Sequence, residues 1–305
     1  MAHEINRLLR AFASQPWFIE PRKAEQIIAA LELRANYGVR AEPYRAEPAQ
    51  RPKTAEPVGN VTVLRLYGPI LPRAEAVKDI SQASALMTEF QQAFRSAAAD
   101  PNVGAIILDI DSPGGQVDLV PETAAMIRAA RRADRPIVAV ANTLAASAAY
   151  WIASAADEIV VTPSGEVGSI GVYTVHEDVS ELLAAEGVRV TFISEGPRKV
   201  EANPFEPLGT EARAALQANV RHFYDMFVSD VAKGRGVSTA IVKADPEKSD
   251  KHFGGGRVYP GKQAVELGMA DKVATLDETI TRLQRGNARG GRRADVPTRL
   301  LAFGF

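Results

Sequence analysis

Val103-Gly-Ala-Ile-Ile-Leu-Asp-Ile-Asp-Ser-Pro-Gly-Gly115 is a run of apolar residues that leads into a turn with two glycines. A continuous apolar run of this length is typical of a strand that is buried on both faces of a parallel sheet. Gly114 and Gly115 can adopt positive φ and present their backbone N–H groups to an oxyanion. The stretch therefore predicts a buried strand that ends in an anion-binding turn, although an ordinary glycine-rich turn between strand and helix has the same sequence pattern.

Strand-like and helix-like segments alternate on both sides of this stretch. We predict strands at residues 61–66, 103–109, 136–141, 158–161, 189–193 and 272–274, and helices at 83–99, 121–133, 147–156, 177–186, 210–234 and 261–267. Such alternation favours an α/β fold with a mostly parallel sheet and flanking helices.

The ends of the chain differ in composition from this central part. Apolar residues at helical spacing predict a helical N-terminal arm over residues 1–37, with short helices at 5–12 and 24–35. A stretch rich in Pro, Ala, Glu and Arg predicts a flexible linker over 38–57. The main folded domain is then expected at 58–281, followed by a basic flexible tail at 282–305.

Composition excludes several classes of function. The 305 residues carry a formal net charge of −1, which gives no reason to expect a nucleic-acid partner. The absence of cysteine excludes disulfides, thiol nucleophiles and thiolate metal sites. The sequence shows neither a signal peptide nor an apolar run long enough to span a bilayer. We therefore expect a cytoplasmic protein with no membrane anchor, and we find no sequence signal for a metal or cofactor.

Two residues 52 positions apart (199 − 147) supply the chemistry of a serine hydrolase. Ser147 lies in Leu144-Ala-Ala-Ser-Ala-Ala-Tyr-Trp151, where small neighbours allow a sharp turn from strand to helix. A serine hydroxyl attacks only when a base takes its proton, and a neutral lysine amine such as that of Lys199 can do so. Taken alone, Ser147 also fits a helix N-cap, and Lys199 also fits an ordinary surface lysine.

Other residues compete for roles in the same site. Ser169 is a candidate to hydrogen-bond and orient the lysine amine, although it also fits a plain loop serine. His176, followed by Glu177 and Asp178, is an alternative base, because a Ser–His–Asp triad is the more common arrangement. Asp109 and Asp111 lack acidic partners at metal-binding spacing, and we interpret them as turn and helix-start residues.

Several ordered motifs resemble the serine peptidases of the signal peptide peptidase A family. These are Ser112-Pro-Gly-Gly115, Ala145-Ala-Ser-Ala-Ala-Tyr150, Gly168-Ser-Ile-Gly-Val172, Lys199, Phe227-Val-Ser-Asp-Val-Ala-Lys-Gly-Arg-Gly236 and Arg257-Val-Tyr-Pro-Gly-Lys-Gln-Ala-Val-Glu-Leu-Gly268. The resemblance covers roughly residues 60–280. It implies a Clp-protease-like or crotonase-like fold, and residues 58–281 become the expected serine peptidase domain.

The resemblance also assigns roles to individual residues. It implies that Ser147 is the nucleophile, that Lys199 is the general base and that Ser169 orients the lysine. The backbone N–H groups of Gly114 and Ala148 are implied as oxyanion donors. Many signal peptide peptidases have Gly-Gly where this chain has Ala148-Ala149, and this difference affects the fit of the substrate rather than the donor.

Within that family the chain is most similar to the bacteriophage prohead proteases. This similarity implies cleavage of scaffold or capsid proteins inside an assembling head. It also implies a homo-oligomeric ring in which neighbouring subunits complete the active sites. Three alternatives stay open: a cytoplasmic peptidase of the same family that degrades signal peptides, a crotonase-like acyl-CoA enzyme, and a non-catalytic assembly protein.

Overall fold

The computed structural model describes residues 17–19, 54–73 and 84–291, with the backbone alone described for 17–19 and 287–291. The predicted arm helices at 5–12 and 24–35 lie outside the described residues, as does most of the predicted linker. Within the described part of the chain, no helix combines the length and the apolar character needed to cross a membrane.

A large, mostly parallel sheet forms the centre of the molecule. The bounds of its strands are β2 Ala55–Val58, β3 Val61–Tyr67, β6 Ala105–Ser112, β8 Ile137–Ala146, β9 Glu158–Val161, β10 Glu166–Gly168, β11 Val258–Pro260 and β12 Lys272–Val273. The strands follow the order β11-β10-β8-β6-β3-β2, and β9 pairs with both β8 and β12. The strands β3, β6 and β8 run parallel, whereas β2 and β11 are antiparallel to their neighbours. The predicted α/β class is confirmed.

A smaller sheet continues from the end of β6. Its order is β1-β7-β4-β5, with bounds β1 Trp17–Ile19, β4 Ile70–Leu71, β5 Ala85–Leu86 and β7 Gly114–Gln116. Strand β7 follows β6 after a single residue, Pro113. The small sheet therefore lies directly beyond the carboxyl ends of the central parallel strands.

Helices cover both faces of the large sheet. Their bounds are α1 Met87–Ala99, α2 Val120–Ala129, α3 Ala148–Ala153, α4 Ser180–Ala185, α5 Thr210–Arg235, α6 Thr239–Lys243, α7 Gly261–Glu266 and α8 Leu276–Gly291. The larger core combines one face of the sheet with α1, α2, α3 and α5. The smaller core combines the opposite face with Leu276, Ile280 and Leu283 of α8.

Strand β8 changes its neighbour halfway along its length. Residues 138–141 pair with β9, and residues 144–146 pair with β10. The sheet therefore divides at Asn142 and Thr143. The second half of β8 carries the chain to Ala146, farther than the predicted end of this strand at residue 141.

Three predictions about individual segments were wrong. Residues 189–193 were predicted as a strand, but they are irregular and mostly exposed. Residues 282–291 were assigned to a flexible tail, but they continue helix α8, whose Leu283 is buried under the sheet. Residues 55–57 were assigned to the linker, but they form most of β2, which is paired with β3.

Candidate active site

Ser147 occupies a sharp turn between β8 and α3. The residue has φ 55° and ψ −122°, and its side chain is 1% exposed. A non-glycine residue in such a conformation costs on the order of 1–3 kcal/mol, and strained backbone of this kind clusters at active sites. The predicted helix at 147–156 is shorter at both ends, since α3 spans Ala148–Ala153 and Ser147 precedes its first residue. The turn sets the Ser147 side chain apart from both the strand and the helix, as expected for a nucleophile.

Hydrogen bonds on both sides hold this turn in place. The Ser147 N–H donates to the carbonyl of Gly168 at 2.8 Å, and the Ser147 carbonyl accepts from the Trp151 N–H at 3.0 Å. Strand β10 lies parallel to β8, with Gly168 opposite Ala146. The end of β10 therefore supports the turn directly.

Ser169 follows Gly168 and lies beside the nucleophile turn. It also has a positive φ, of 56°, and is 5% exposed. Its N–H donates to the Arg257 carbonyl at 2.8 Å, which fixes the residue against β11. Because Gly168 is in register with Ala146, Ser169 and Ser147 are the next residues along two adjacent parallel strands. The structure thus brings together two serines that the sequence separates by 22 positions.

The Gly-Gly turn lies on the other side of Ser147. Ser112 of β6 is opposite Ala145 of β8, so Gly114 and Ser147 each lie two residues beyond a paired position. The Ser112 hydroxyl donates to the Gly68 carbonyl at 2.7 Å and accepts from the Gly114 N–H at 3.2 Å. This bridge holds the predicted oxyanion donor at the level of the nucleophile.

Gly115 is required by the close approach of two strands. A Cβ atom at this position would lie 2.1 Å from the Ile70 carbonyl oxygen of β4, a distance that no side chain can tolerate. The second glycine therefore fixes the backbone position of β7. Gly114, with φ 95°, adopts a conformation that glycine favours.

Ala148 provides the second predicted oxyanion donor. It is the first residue of α3, so its N–H has no acceptor within the helix. Both Ala148 and Ala149 are fully buried.

Helix α3 packs against α5 and against the backbone at Met269. Trp151 stacks on Phe227 of α5 with ring centroids 4.8 Å apart, and its indole N–H donates to Asp230 at 2.9 Å. The Tyr150 hydroxyl donates to the Met269 carbonyl at 2.8 Å, and burial raises the pKa of this phenol. These supporting residues were not singled out from the sequence. The motif that begins at Phe227 was the available signal for them.

Lys199, the predicted base, lies in the segment between β10 and α5 and not at the strand ends that carry Ser147 and Ser169. It is exposed, and its N–H donates to the Gly196 carbonyl at 3.1 Å within a turn. Among the described residues, no side-chain hydrogen bond or ion pair of Ser147 or Lys199 is found. The structure therefore brings together Gly114, Ser147 and Ser169 with the Ala148 N–H, and leaves Lys199 outside this group.

The segment that carries Lys199 exposes several large apolar side chains. These belong to residues 172–209, between β10 and α5, which contain little regular structure beyond α4. Ile193 is 99% exposed and Leu182 is 61% exposed, and Val175, Val188 and Val190 are also exposed.

His176, the alternative base, belongs to a different environment. Its Nε2 lies 3.0 Å from the carbonyl oxygen of Asn203. It lines a cavity against the first half of α5, together with Val172, Tyr173, Thr174, Leu208, Arg213, Leu216, Gln217 and Val220. None of these residues belongs to the nucleophile turn, so this geometry offers no Ser–His pair.

Asp109 is a buried carboxyl in the central sheet. It is a strand residue of β6, 1% exposed, and not the turn or helix-start residue that we interpreted from the sequence. Burial raises the pKa of its carboxyl, and a hydrogen bond from the Tyr67 hydroxyl partly offsets this effect. The pKa of Tyr67 is raised to about 12 by its own burial and by Asp109. Asp111, also in β6, is exposed and accepts a hydrogen bond from Thr143.

No group of three or more His, Cys, Asp or Glu residues able to hold a metal ion occurs among the described residues. The site as described contains a serine, a second serine and backbone donors. These groups can perform acyl transfer to a hydroxyl once a base is supplied.

Comparison with known proteins shows which family this chain belongs to. The model of the family described as peptidase family S49 matches residues 129–289, which is more than half of the chain. The chain belongs to peptidase family S49. The matched residues of this S49 chain include Ser147, Ser169 and Lys199, and Gly114 precedes them.

Two phage proteins are among its relatives. The capsid assembly protease C of Escherichia phage lambda is 32% identical over 227 residues, which are 73% of this chain and 48% of that protein. The head-tail preconnector protein GP5 of Enterobacteria phage P21 is 29% identical over 314 residues, with 95% of this chain and 60% of that protein covered. The S49 chain thus spans about half to three fifths of the length of these two relatives.

A solved structure of a membrane protease specific for a stomatin homolog, from Pyrococcus horikoshii, also aligns with the chain. The identity is 16%, the TM-score is 0.41, and 72% of this chain and 76% of that one are covered.

Proposed function

We propose that this S49 chain is a serine endopeptidase whose nucleophile is Ser147. The observation that carries the proposal is the register of β6, β8 and β10, which places Gly114, Ser147 and Ser169 side by side at one end of three adjacent strands. The strained Ser147 turn presents the hydroxyl between the two flanking turns. Membership of a peptidase family supports peptide-bond hydrolysis over acyl-CoA chemistry.

The reaction assigns one task to each group. The Ser147 oxygen attacks the scissile carbonyl carbon and loses its proton to the base. The Gly114 and Ala148 N–H groups stabilise the negative charge that develops on the carbonyl oxygen. The amine leaves with a proton from the base, and water then hydrolyses the acyl-enzyme by the same route. The Gly114 N–H must turn from the Ser112 hydroxyl to the oxyanion, and the 3.2 Å length of that bond makes the exchange easy.

Lys199 is the proposed base. Because it is exposed in this structure, it can act on a Ser147 only after its segment moves or packs on another subunit. A lysine must be neutral to accept the proton, and burial favours the neutral form. In the isolated chain Lys199 is exposed and lies in the segment with Ile193 and Leu182. We propose that this segment packs on a neighbouring copy of the chain in a homo-oligomeric ring, which buries the lysine at a serine site. Ser169 then orients the amine.

The proposed biological role is the cleavage of scaffold or capsid proteins during phage head maturation, inside the assembling head. Two relatives carry names from phage head assembly, and one of these covers nearly the whole chain. Co-expression with the major capsid and scaffold proteins of the same genome tests this role. Specific cleavage that disappears in Ser147→Ala supports it. Intact capsid and scaffold proteins, together with cleavage of secretory signal peptides, would favour the cytoplasmic alternative.

A further inference from the structure

The edge of β7 beside the oxyanion turn is already occupied by the chain itself. Strand β1 pairs antiparallel with β7, so that Trp17 lies opposite Gln116, Phe18 opposite Gly115 and Ile19 opposite Gly114. The other edge of β7 is held by β4, where Ile70 pairs with Gly115. Strand β1 therefore covers the remaining edge, and it ends opposite the proposed oxyanion donor.

A protein substrate of the proposed peptidase would need this same edge. An extended peptide adds to a sheet edge through main-chain hydrogen bonds, and this mode of binding reads the backbone more than the sequence. The scissile carbonyl must reach the Gly114 N–H, and a peptide running along β7 would bring it there. Helix α3, which begins after Ser147, packs against β7, so the same edge borders the nucleophile.

The sequence of β1 suits a short strand with definite ends. Trp17-Phe18-Ile19 consists of three residues with high preference for strands, and Pro16 precedes it while Pro21 follows after Glu20. Proline lacks an N–H and cannot extend a ladder. The described contact consists of three residue pairs, and a contact of this size can be displaced by a substrate.

We propose that Trp17–Ile19 is a pseudosubstrate strand, which occupies the substrate edge of β7 and competes with protein substrates. This proposal rests on the proposed function for the identity of the competing ligand. The occupancy of the edge by residues 17–19 does not depend on that function. Activation then consists of the release of β1, by substrate in excess or by a partner that binds the N-terminal arm.

Proline substitution in the full-length chain tests the contact. In an antiparallel ladder, alternate residues point their N–H groups toward the partner strand, so the double variant Phe18→Pro/Ile19→Pro removes at least one ladder donor. Ser14→Pro, which lies outside β1, is the matched control. Hydrogen–deuterium exchange of peptides covering residues 113–118 measures the cover on β7. We expect protection to be lost in the double variant and kept in the control.

Activity measurements show whether the strand competes with substrate. With labelled casein as substrate, the double variant should cleave severalfold faster than the wild type and the control. A synthetic peptide of residues 14–21 should slow the double variant and restore its protection, whereas a scrambled peptide should not. Unchanged exchange at 113–118 would overturn the proposal, and so would lost protection without faster cleavage in an enzyme whose Ser147 still reacts with a fluorophosphonate.

The same experiment separates this proposal from the proposed function. If Ser147 reacts with the fluorophosphonate in no variant, the assignment of the nucleophile fails. The exchange at residues 113–118 still reports whether Trp17–Ile19 covers β7 in that case.

Discussion

Among single residues, Ser147 has a strained backbone whose effect on the free energy of unfolding can be measured. The positive φ of this residue destabilises alanine and serine alike, because both carry a Cβ atom. Glycine has no Cβ atom and adopts the same conformation freely. We expect Ser147→Gly to be more stable than Ser147→Ala by about 1 kcal/mol in urea unfolding. The control is Ala214→Gly in α5, where glycine replaces an exposed helical alanine and should cost about 1 kcal/mol. Equal stability of Ser147→Gly and Ser147→Ala would mean that the turn is not strained.

The buried carboxyl of Asp109 predicts a dependence of stability on pH. Its pKa is raised in the folded chain by burial, so the folded state binds more protons than the unfolded state just above the ordinary aspartate pKa. Its contribution to stability is therefore present below that pKa and is lost as the pH rises through the raised value. The advantage of Asp109→Asn over the wild type should grow from pH 4 to pH 7 in urea unfolding. Asp118→Asn, at an exposed position, should show no such trend. An advantage that shrinks with pH would contradict the raised pKa.

At the scale of elements, the contact between α5 and α3 depends on a single glycine. A Cβ atom on Gly234 would lie 1.9 Å from the Ser154 carbonyl oxygen, at the end of the helix that follows the nucleophile. Gly234→Ala must push the two helices apart, which disturbs the Trp151–Phe227 stack. We expect a loss of about 2 kcal/mol or more in unfolding free energy, in the range of overpacked sites.

Gly286 in α8 is the matched control for this prediction. No atom lies within 4 Å of a Cβ built there, and the residue is helical and exposed. Gly286→Ala should therefore stabilise the chain by about 0.5–1 kcal/mol, because alanine favours helix over glycine. A Gly234→Ala variant as stable as Gly286→Ala would show that the helices are not in close contact.

At the scale of the whole molecule, the exposed segment at 172–209 predicts association between copies. Substitution of a fully exposed side chain in a monomer changes stability by less than about 0.5 kcal/mol. Ile193→Asp should therefore leave the unfolding midpoint of the isolated chain unchanged, but it should reduce the oligomer mass in analytical ultracentrifugation. Lys248→Asp, at a residue whose side chain is also highly exposed, serves as the control. A wild-type chain that sediments as a monomer at all concentrations would contradict the proposed ring.

Local patterns predicted much of the fold, and non-local contacts explain what they missed. The apolar runs of β6, of the first half of β8 and of β9 were recognisable because strands buried on both faces are continuously apolar. The short strands β4, β7, β10 and β11 carry no such run, since each is defined by its partner. Residues 189–193 have the alternation of a strand, but they pair with no strand among the described residues.

The sequence predicted the motif residues of the candidate site but not the residues that depend on contacts between distant segments. Ser147, Gly114 and Ser169 were named from motifs, and the strand register places them side by side. The burial of Asp109 was missed, because a carboxylate between apolar residues resembles the polar start of a turn. The occupation of β7 by Trp17–Ile19 was also missed, since it joins segments nearly a hundred residues apart.

The most direct test of the central claim is the reaction of the full-length chain with a fluorophosphonate, followed by mapping of the labelled peptide by mass spectrometry. We expect a single adduct on Ser147, which is absent in Ser147→Ala and forms much more slowly in Lys199→Ala. Labelling should continue at the wild-type rate in His176→Ala and in Lys248→Ala, the control for loss of an exposed lysine. An adduct on another serine would overturn Ser147 as the nucleophile, and labelling that is lost in His176→Ala but unaffected in Lys199→Ala would overturn Lys199 as the base.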